Sequence, residues 1–415
     1  MSNKNSTILM PKLRFKEPNG KSYPDWSVKN LKELAELFAQ KNRDGNIHRV
    51  LTNSASAGIV DQRDYFDKDI ADKNNLEGYY VVEKGDYVYN PRTSNIAPVG
   101  PISKNKIGIG VMSPLYTVFR FKSPDNDFFE QYFKTSHWHS YLRSASNTGA
   151  RHDRMSITPT VFMEMQVPFP HLSEQQKIAD CLSSLDDLIT AENEKLEALK
   201  AHKKGLMQQL FPAEGETVPK LRFKGFDGEW EEKRLDKACV VNPYVGNLPD
   251  SFIYIDLESV ERGRLLKKNL ITIDTAPSRA QRLLRPKDVI FQMVRPYQQN
   301  NYFFQPEDNS DYVASTGYAQ LRANESCEFL YHYLHSPEFV ERVLEKCTGS
   351  NYPAINSGEL SAIKVVMPNP IEQQKIADCL SSLDESITTQ AEKIENLKLH
   401  KRGLMQQLFP SLSEP

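Results

Sequence analysis

Cysteine is scarce in this chain, and the few cysteines present follow no functional pattern. The 415 residues include five cysteines, and two of them, Cys181 and Cys379, occupy the same place in a repeated segment. The other three lack the spacing of metal ligands, so the sequence predicts neither a disulfide framework nor a zinc site. We expect reduced cysteines that serve mainly in packing.

Long apolar runs are also missing. No run approaches the roughly 20 residues that a membrane-spanning helix needs. The first ten residues lack the successive basic, apolar and small-residue zones of a secretion signal. Since 39% hydrophobic and 26% charged residues are ordinary values for a globular protein, we expect a cytoplasmic protein that does not enter a membrane.

Motifs for catalysis are absent as well. The sequence has no glycine-rich phosphate loop and no Gly-x-Gly-x-x-Gly segment after a predicted strand. Asn90-Pro91-Arg92 and Asn242-Pro243-Tyr244 lack the second proline that a DNA amino-methyltransferase motif would need, and both are typical of turns. We therefore predict no catalytic residue, no metal and no cofactor in this chain.

What the sequence does contain is a long internal repeat. Residues 174–212 and 372–410 are identical at 30 of 39 positions, at a constant offset of 198 residues. A shorter echo, PKLRFK, occurs at 11–16 and again at 219–224. The segments between these echoes show almost no similarity. Because an internal repeat defines the architecture, we infer two halves with one frame and different contents.

Each copy of the long repeat predicts a coiled-coil helix. Apolar residues alternate at spacings of four and three over about five heptads, which gives the 3.5-residue period of a coiled-coil seam. An ordinary amphipathic core helix is the alternative, but the identity extends to polar positions and so favours a shared partner surface. About 39 residues that each rise ~1.5 Å make a rod of about 55–60 Å. The seam residues are Ile178, Leu182, Leu185, Ile189, Leu196, Leu199, Leu206, Ile376, Leu380, Leu383, Ile387, Ile394, Leu397 and Leu404.

Polar residues interrupt the seam at matching places. Glu192 and Lys203 fill gaps in the first copy, as Gln390 and Lys401 do in the second. Polar seam positions can fix the register of a coiled coil. If the two helices are antiparallel, we expect Glu192 and Lys203 to approach Lys401 and Gln390.

Capping residues mark where the two helices start. Ser173 followed by Gln176 is typical of a capping box, and Asn369 before Pro370 is typical of an N-cap with a first-turn proline. A proline also ends each copy of the repeat.

The divergent blocks between these helices are domain-sized. Both show short strand-like runs and then a late helix, predicted over 127–142 and 328–347. The predicted fold class is α+β: two α/β domains joined by two long antiparallel coiled-coil helices, with a pseudo-two-fold internal repeat. The assigned segments are 1–170 (first block), 171–212 (central helix), 213–369 (second block) and 370–415 (C-terminal helix).

Charge is unevenly distributed. The net charge is −2, but residues 1–170 carry 23 basic and 18 acidic side chains, a net of +5. Residues 213–369 carry 19 and 22, a net of −3, and yet 262–295 holds nine basic residues against Asp274 and Asp288. We interpret this stretch as one basic face. A solvated loop with a few ion pairs is the alternative.

Two polar loops carry side chains suited to contacting DNA bases. One lies near Gly149 and the other is RPYQQNNY at 295–302. Arg, Gln and Asn can each make two hydrogen bonds to a base edge. A merely polar surface loop is the alternative for each, but corresponding loops in both blocks favour a shared role. With nearby cations, the candidate DNA-binding residues are Arg92, Lys104, Lys106, Arg143, Arg151, His152, Arg154, Arg279, Arg282, Arg295, Tyr297, Gln298, Gln299, Asn300, Asn301, Ser350, Asn351 and Tyr352.

These motifs resemble those of a known family. GLMQQLFP ends both helices, EQQKIA opens them, and PKLRFK precedes Trp230, as in the DNA specificity subunits of type I restriction-modification systems. The resemblance covers nearly the whole chain, and its helix motifs are specific. It implies two target recognition domains, each reading one half of a split, asymmetric DNA sequence, and an antiparallel helix pair that sets the gap between the halves.

The resemblance also implies partners. They are double-stranded DNA, two methyltransferase subunits and two restriction subunits. S-adenosylmethionine, ATP and magnesium would be bound by those subunits and not by this chain.

Two other classes stay open on the sequence alone. A coiled-coil scaffold that binds protein partners is one, although the basic stretch and the polar loops argue against it. A self-contained methyltransferase is the other, and methyl transfer by the isolated chain would favour it. DNA affinity that falls steeply with salt would favour the DNA reader, because phosphate contacts release counterions.

Overall fold

The structure is a computed structural model in which the chain divides into two compact units. The first unit is Met1–Ala191 with Ile394–Pro415, and the second is Glu192–Lys393. Each unit therefore contains one mixed domain and a part of each long helix. The residues described are 10–65, 76–146, 153–244, 246–349 and 351–410.

The first unit opens with a mixed α/β domain. Its elements are β1 (Ser27–Asn30), α1 (Leu31–Leu34), β2 (Ala35–Leu37), β3 (Leu51–Ser54), β4 (Gly58–Asp61), α2 (Gln62–Tyr65), β5 (Tyr80–Val82), β6 (Tyr87–Tyr89), β7 (Ile102–Lys104), β8 (Gly110–Met112), β9 (Thr117–Phe121), α3 (Asp127–Phe133), α4 (His139–Ala145), α5 (Pro159–Met163) and β10 (Gln166–Phe169). An antiparallel sheet of order β2-β9-β6-β7 forms its centre, and β1 pairs with β10. The long helix α6 (Leu172–Leu210) follows.

The second unit contains the other mixed domain. Its elements are β11 (Glu231–Arg234), α7 (Leu235–Ala238), β12 (Cys239–Val241), β13 (Ser251–Ile255), β14 (Val260–Glu261), β15 (Arg264–Leu265), β16 (Asn269–Thr272), β17 (Ala280–Leu283), β18 (Val289–Gln292), β19 (Tyr302–Phe303), β20 (Tyr312–Ser315), β21 (Tyr318–Ala323), α8 (Cys327–Tyr333), α9 (Pro337–Glu345), α10 (Ser357–Ala362) and β22 (Lys364–Met367). The long helix α11 (Pro370–Leu408) follows.

The two domains repeat one arrangement of elements although their side chains differ. The sheet β12-β21-β18-β19 has the same order as β2-β9-β6-β7, and β11 pairs with β22 as β1 pairs with β10. A buried aspartate precedes the equivalent strands β6 and β18. Asp86 accepts a hydrogen bond from Arg120 Nε at 2.6 Å, and Asp288 accepts one from Arg322 Nε at 2.8 Å. The second domain adds a four-stranded sheet, β16-β13-β20-β17.

Both late helices that the sequence predicts as single rods are divided in the structure. The predicted 127–142 is α3 and α4, and the predicted 328–347 is α8 and α9. Ser336 caps α9 by accepting a hydrogen bond from a backbone N–H, and Pro337 lacks the N–H that would continue α8. In the first domain, Thr135 Oγ1 donates to the Tyr132 carbonyl at 2.7 Å where α3 ends.

The long helices begin and end close to the predicted residues. Asn369 caps α11 as predicted, because its Oδ1 accepts a hydrogen bond from Glu372 N at 3.0 Å. The capping box at Ser173 is wrong. Helix α6 already begins at Leu172, and the backbone N–H of Glu174 donates to the His171 carbonyl at 2.8 Å.

The short echo is joined to the long repeat by an ion pair in each unit. Arg14 bonds Glu174 through Nε at 3.0 Å and Nη2 at 2.7 Å. Arg222 bonds Glu372 in the same way, with both distances 2.8 Å. Both carboxylates are buried, so each arginine supplies the charge that its glutamate needs.

The seam residues are all at least half-buried. Ile178 shares a hydrophobic cluster with Leu408 in the first unit, and Ile376 shares one with Leu210 in the second. The two helices therefore run in opposite directions where they meet in each unit. The buried seam residues are Ile178, Leu182, Ile376, Leu380 and Ile394; the half-buried ones are Leu185, Ile189, Leu196, Leu199, Leu206, Leu383, Ile387, Leu397 and Leu404.

Charged side chains join the two helices in each unit. Lys401 donates to Asp186 in the first unit, and Lys203 donates to Asp384 at 2.6 Å in the second. These are the same two repeat positions with the helices exchanged. Burial would raise the pKa of Asp186, but the bonds from Lys401 and Lys134 outweigh it and lower the pKa.

The middle of the helix pair is also polar. Gln390 Nε2 donates to Glu192 Oε2 at 2.6 Å, and the two residues occupy the same repeat position. The expected approach of Glu192 to Lys401 and of Lys203 to Gln390 is wrong, because Glu192 bonds Gln390 instead. Antiparallel copies meet at equal positions only at their midpoint, so each lysine meets an aspartate on the other helix instead.

Two kinds of feature are absent from the part of the chain that the structure describes. None of its helices combines the length and the apolar character that crossing a membrane requires. No group of three or more His, Cys, Asp or Glu side chains there is arranged to hold a metal ion.

Candidate nucleic-acid interface

The backbone of the loop after β18 is strained at several residues. A 3-10 turn at Pro296–Gln298 is flanked by Arg295 and Gln299, whose φ angles of 54° and 53° are left-handed. Arg262, with φ of 48°, donates its backbone N–H to Asn300 Oδ1 at 3.1 Å. Non-glycine residues rarely adopt this conformation, and such strain concentrates at functional sites. Three strained residues therefore lie in one small loop cluster.

A cleft of about 460 Å³ opens beside this loop. The Arg295 guanidinium lies 4.4 Å from the ring centroid of Tyr352, which holds it at the cleft wall. Gln298 Oε1 accepts a hydrogen bond from Gln292 at 2.9 Å. This bond leaves the amide N–H groups of Gln298 without a partner in the described part of the chain. The cleft thus presents guanidinium and amide donors, the groups that recognise base edges.

Asn301 lies inside the loop. It is 1% exposed, and its Oδ1 accepts a hydrogen bond from Gln292 N at 2.8 Å. Its Nδ2 lies 3.3 Å from Nε2 of His335. These contacts place Asn301 as an internal support of the loop, which corrects the expectation that it faces a base.

The other candidates around this loop lie at its surface. Tyr297 is 51% exposed and Tyr352 is 64% exposed. Asn351 is exposed, whereas Gln299 and Asn300 are half-buried.

The predicted basic face is not a single surface element. Residues 262–295 extend over strands of three different sheets. Lys268 bonds Asp308 at 3.0 Å. Arg279 and Arg282 lie at β17 and do not line the cleft. Arg282 is half-buried, and this burial lowers the pKa of its guanidinium.

The first unit has a cleft of about 890 Å³ at the corresponding end of its central sheet. Ser54, Ile96 and His137 lie on its domain side. Gly100 shapes this wall, because its φ is 83° and a Cβ there would lie 2.0 Å from the Asn90 carbonyl oxygen. The tight turn at Gly100 therefore requires glycine.

Three predicted arginines of the first block, Arg92, Arg143 and Arg154, do not line this cleft. Arg92 and Arg154 are brought together by a backbone bridge, with Arg92 exposed and Arg154 half-buried. Arg143 is exposed at the end of α4. Three candidates, Arg151, His152 and Ser350, lie outside the described residues.

Two predicted lysines are held by acidic side chains of α3. Lys104 bonds Asp127 at 2.6 Å, and Lys106 pairs with Glu130 at 2.7 Å. Neither lysine lines the cleft. Because both lie outside the cleft lining, they are weaker candidates for contacting DNA than the sequence indicates.

The repeated helices supply basic residues that the sequence-based candidate set omits. A cleft of about 910 Å³ in the second unit shares Gln298 with the smaller cleft beside the loop. The sequence feature that indicates these residues is the basic run KAHKK at 200–204, which recurs as KLHKR at 398–402. The cations that the repeated helices contribute to the cleft walls are Lys200, Lys203 and Lys204 in the second unit and Lys398, Lys401 and Arg402 in the first.

Comparisons with known proteins agree with this architecture. The type I restriction enzyme MjaVIII specificity subunit of Methanocaldococcus jannaschii is 22% identical over 95% of both chains. The putative type I restriction enzyme MjaX specificity subunit of the same organism is 24% identical over 95% of this chain and 96% of its own.

Solved structures show the same fold. A type I restriction-modification S subunit from M. genitalium aligns with a TM-score of 0.56 and 14% identity, over 98% of this chain and all of its own. A chain from a structural study of assembly and conformational transition of the type I R-M system aligns with a TM-score of 0.55 and 16% identity, over 93% and 98%.

The family match extends over both domains and both long helices. The type I restriction modification DNA specificity domain matches residues 23–201 and 260–399. These stretches cover most of the chain and end at 201 and 399, inside the two repeated basic segments. The chain therefore belongs to the type I restriction modification DNA specificity domain family.

Proposed function

We propose that this chain is the non-catalytic, sequence-reading subunit of a type I restriction-modification complex and that its target is a bipartite, asymmetric DNA sequence. One observation carries the proposal: the same frame of elements occurs twice, and each copy places different loop side chains beside a cleft lined by the same repeated basic segment. Two domains with the same arrangement of elements and different loop side chains would fit two half-sites of different sequence. Base contacts specify sequence, so the unlike loops are the expected readers.

In this proposal the two long helices are the spacer that separates the two half-sites. The bonds of Asp186 with Lys401 and of Lys203 with Asp384, together with Glu192 and Gln390 at the midpoint, support an antiparallel coiled coil with pseudo-two-fold symmetry. Polar seam pairs of this kind fix register. A fixed register would hold the two half-sites at a constant separation.

The partners follow from the same repetition. Both helices end in an identical segment whose glutamines are exposed, Gln208 and Gln209 in α6 and Gln406 and Gln407 in α11. Equal surfaces suit two copies of one partner. The proposed partners are two methyltransferase and two restriction subunits, which would bind the S-adenosylmethionine, ATP and magnesium.

Methylation of host DNA tests this function. Genomic DNA from cells with the gene intact, deleted and restored is sequenced by a method that detects methylated bases. We expect one split motif to lose its methylation on deletion and regain it on restoration. Unchanged methylation in the deleted strain contradicts the proposal, and methyl transfer by the purified chain alone would favour a self-contained methyltransferase.

A further inference from the structure

We propose that the exposed basic pairs Lys200–Lys204 and Lys398–Arg402 bind the sugar–phosphate backbone of DNA. The inference rests on the proposed function and deepens it, because it adds residues that hold DNA independently of its sequence. We call these two pairs the helix cations.

The second-unit pair lines the same cleft as the loop at 295–302. Lys200 and Lys204 are four residues apart on α6, so they lie on one face of the helix. They line the cleft of about 910 Å³ together with Arg262, Tyr297 and Gln298. A duplex whose base edges meet Gln298 would thus have a wall of positive charge beside its backbone.

The charges of the second-unit pair are available to a ligand. Lys204 is exposed and forms no ion pair within the described part of the chain. Lys200 pairs at 2.7 Å with Glu197 of the same helix, and the two side chains are 46% and 70% exposed. An exposed pair of this kind contributes little to stability, so a phosphate can replace the carboxylate at small cost.

The lysine between them has a different role. Lys203 is 18% exposed and bonds Asp384, which joins the two helices. All three lysines line the cleft, but Lys203 is held by Asp384 whereas Lys200 and Lys204 are exposed to solvent.

The first unit repeats this division. Lys398 is 47% exposed and, among the described residues, pairs with Glu395 of its own helix alone, whereas Lys401 bonds Asp186. Arg402 is exposed and takes the place of Lys204. The substitution changes the side chain and keeps the charge.

A basic segment that occurs in both halves of the chain is better suited to contacting the DNA backbone than to contacting bases. Phosphates are the same at every sequence, and contacts to them position a protein without specifying bases. The loops that differ between the domains are suited to specify bases. The helix segment that is repeated would hold both half-sites in the same way.

Binding of the full-length chain to two labelled duplexes tests the inference. One duplex carries the methylated motif identified in host DNA, and the other carries a scrambled sequence. The variants are K200Q/K204Q and K398Q/R402Q. The matched control, K195Q/K220Q, removes two exposed lysines that do not line the cleft and changes the net charge equally.

We expect each helix-cation variant to reduce the slope of log affinity against log salt by about 2, or about 1 per phosphate contact. Affinity for both duplexes should fall by the same factor, so that their ratio is unchanged. The control should retain the parent slope. Thermal melting of every variant should match the parent, since glutamine keeps the helix propensity.

Three results would overturn the inference. An unchanged slope shows that the helix cations do not contact phosphates, and an equal loss in the control shows an effect of net charge alone. A loss confined to the motif duplex assigns these residues to base reading. Failure of the proposed function looks different, because the parent chain would then bind both duplexes equally.

Discussion

Gln298 and Asn301 are three residues apart in one loop and have opposite surroundings. Gln298 is exposed, and its amide donors face a cleft, whereas Asn301 is buried and bonds the backbone of Gln292. Both residue types can recognise adenine. Position within the loop therefore decides which amide is placed to contact a base. The same criterion selects Arg295, which stacks on Tyr352 at the cleft wall.

Replacing Gln298 or Arg295 by alanine should relax sequence preference in one half-site. We expect a cost of about 1–3 kcal/mol for the preferred duplex, because one pair of base contacts is lost. Competition binding with duplexes that carry single base changes across both half-sites measures the effect. Equal weakening on every duplex would contradict base reading.

Asn301→Ala is the matched control within the loop. It removes buried hydrogen bonds that support the loop, so it should lower the melting temperature and weaken binding to all duplexes alike. A base-specific effect of this variant would show that the loop rearranges on binding.

Sequence reasoning found the loop but not the surroundings of each side chain. The composition of RPYQQNNY indicates base contacts, yet burial of Asn301 depends on His335, which is distant in sequence and close in the fold. Lys104 and Lys106 were predicted from charge alone, and their acidic partners on α3 are set by the same tertiary packing. Contacts between remote segments are what a single sequence does not specify.

At the scale of elements, repetition made the long helices predictable. A seam of 3.5-residue period sets where each helix lies, and both observed helices have 39 residues. The late helices were harder, because their apolar pattern continues across the break. The Ser336-Pro337 step was the local signal for that break, since serine caps helices and proline starts them.

A buried seam position and an exposed leucine on the same helix give a test of the seam. Ile394 is 2% exposed and Leu399 is 58% exposed, both on α11. Ile394→Glu should lower the free energy of unfolding by about 3 kcal/mol or more, because it buries an unpaired charge. Leu399→Glu should change it by less than about 0.5 kcal/mol. Chemical denaturation of the full chain measures both.

For the half-buried seam leucines we expect an intermediate loss in the free energy of unfolding. Leu185→Glu and Leu383→Glu occupy equivalent positions and should each cost about 1–2 kcal/mol, since part of the charge stays hydrated. Equal denaturation midpoints for Ile394→Glu and Leu399→Glu would contradict a buried seam.

At the scale of the whole molecule, the short PKLRFK echo contacts the start of the long repeat, so the two repeated segments together connect each domain to a helix. Arg14 and Arg222 lie in the two PKLRFK segments, and each bonds the glutamate that begins a copy of the repeat. The backbone N–H of Leu221 also donates to the Gln209 carbonyl at 2.9 Å, next to the end of α6. The parts that recur in the sequence thus connect each domain to the helices, while the parts that differ form the domain side of each cleft.

This division predicts that the second domain can be exchanged as a module. Replacing residues 219–368 by the corresponding domain of another member of the family should change one half of the methylated motif and leave the other half unaltered. The incoming domain must bring an arginine equivalent to Arg222, because Glu372 is buried and would otherwise be left as an unpaired charge. A graft that carries alanine at that arginine serves as the control, and it should lose stability without altering which bases are read. Sequencing of methylated host DNA reports the motif of each graft. A change in both halves of the motif would contradict modular reading, since it would require the first domain to depend on the side chains of the second.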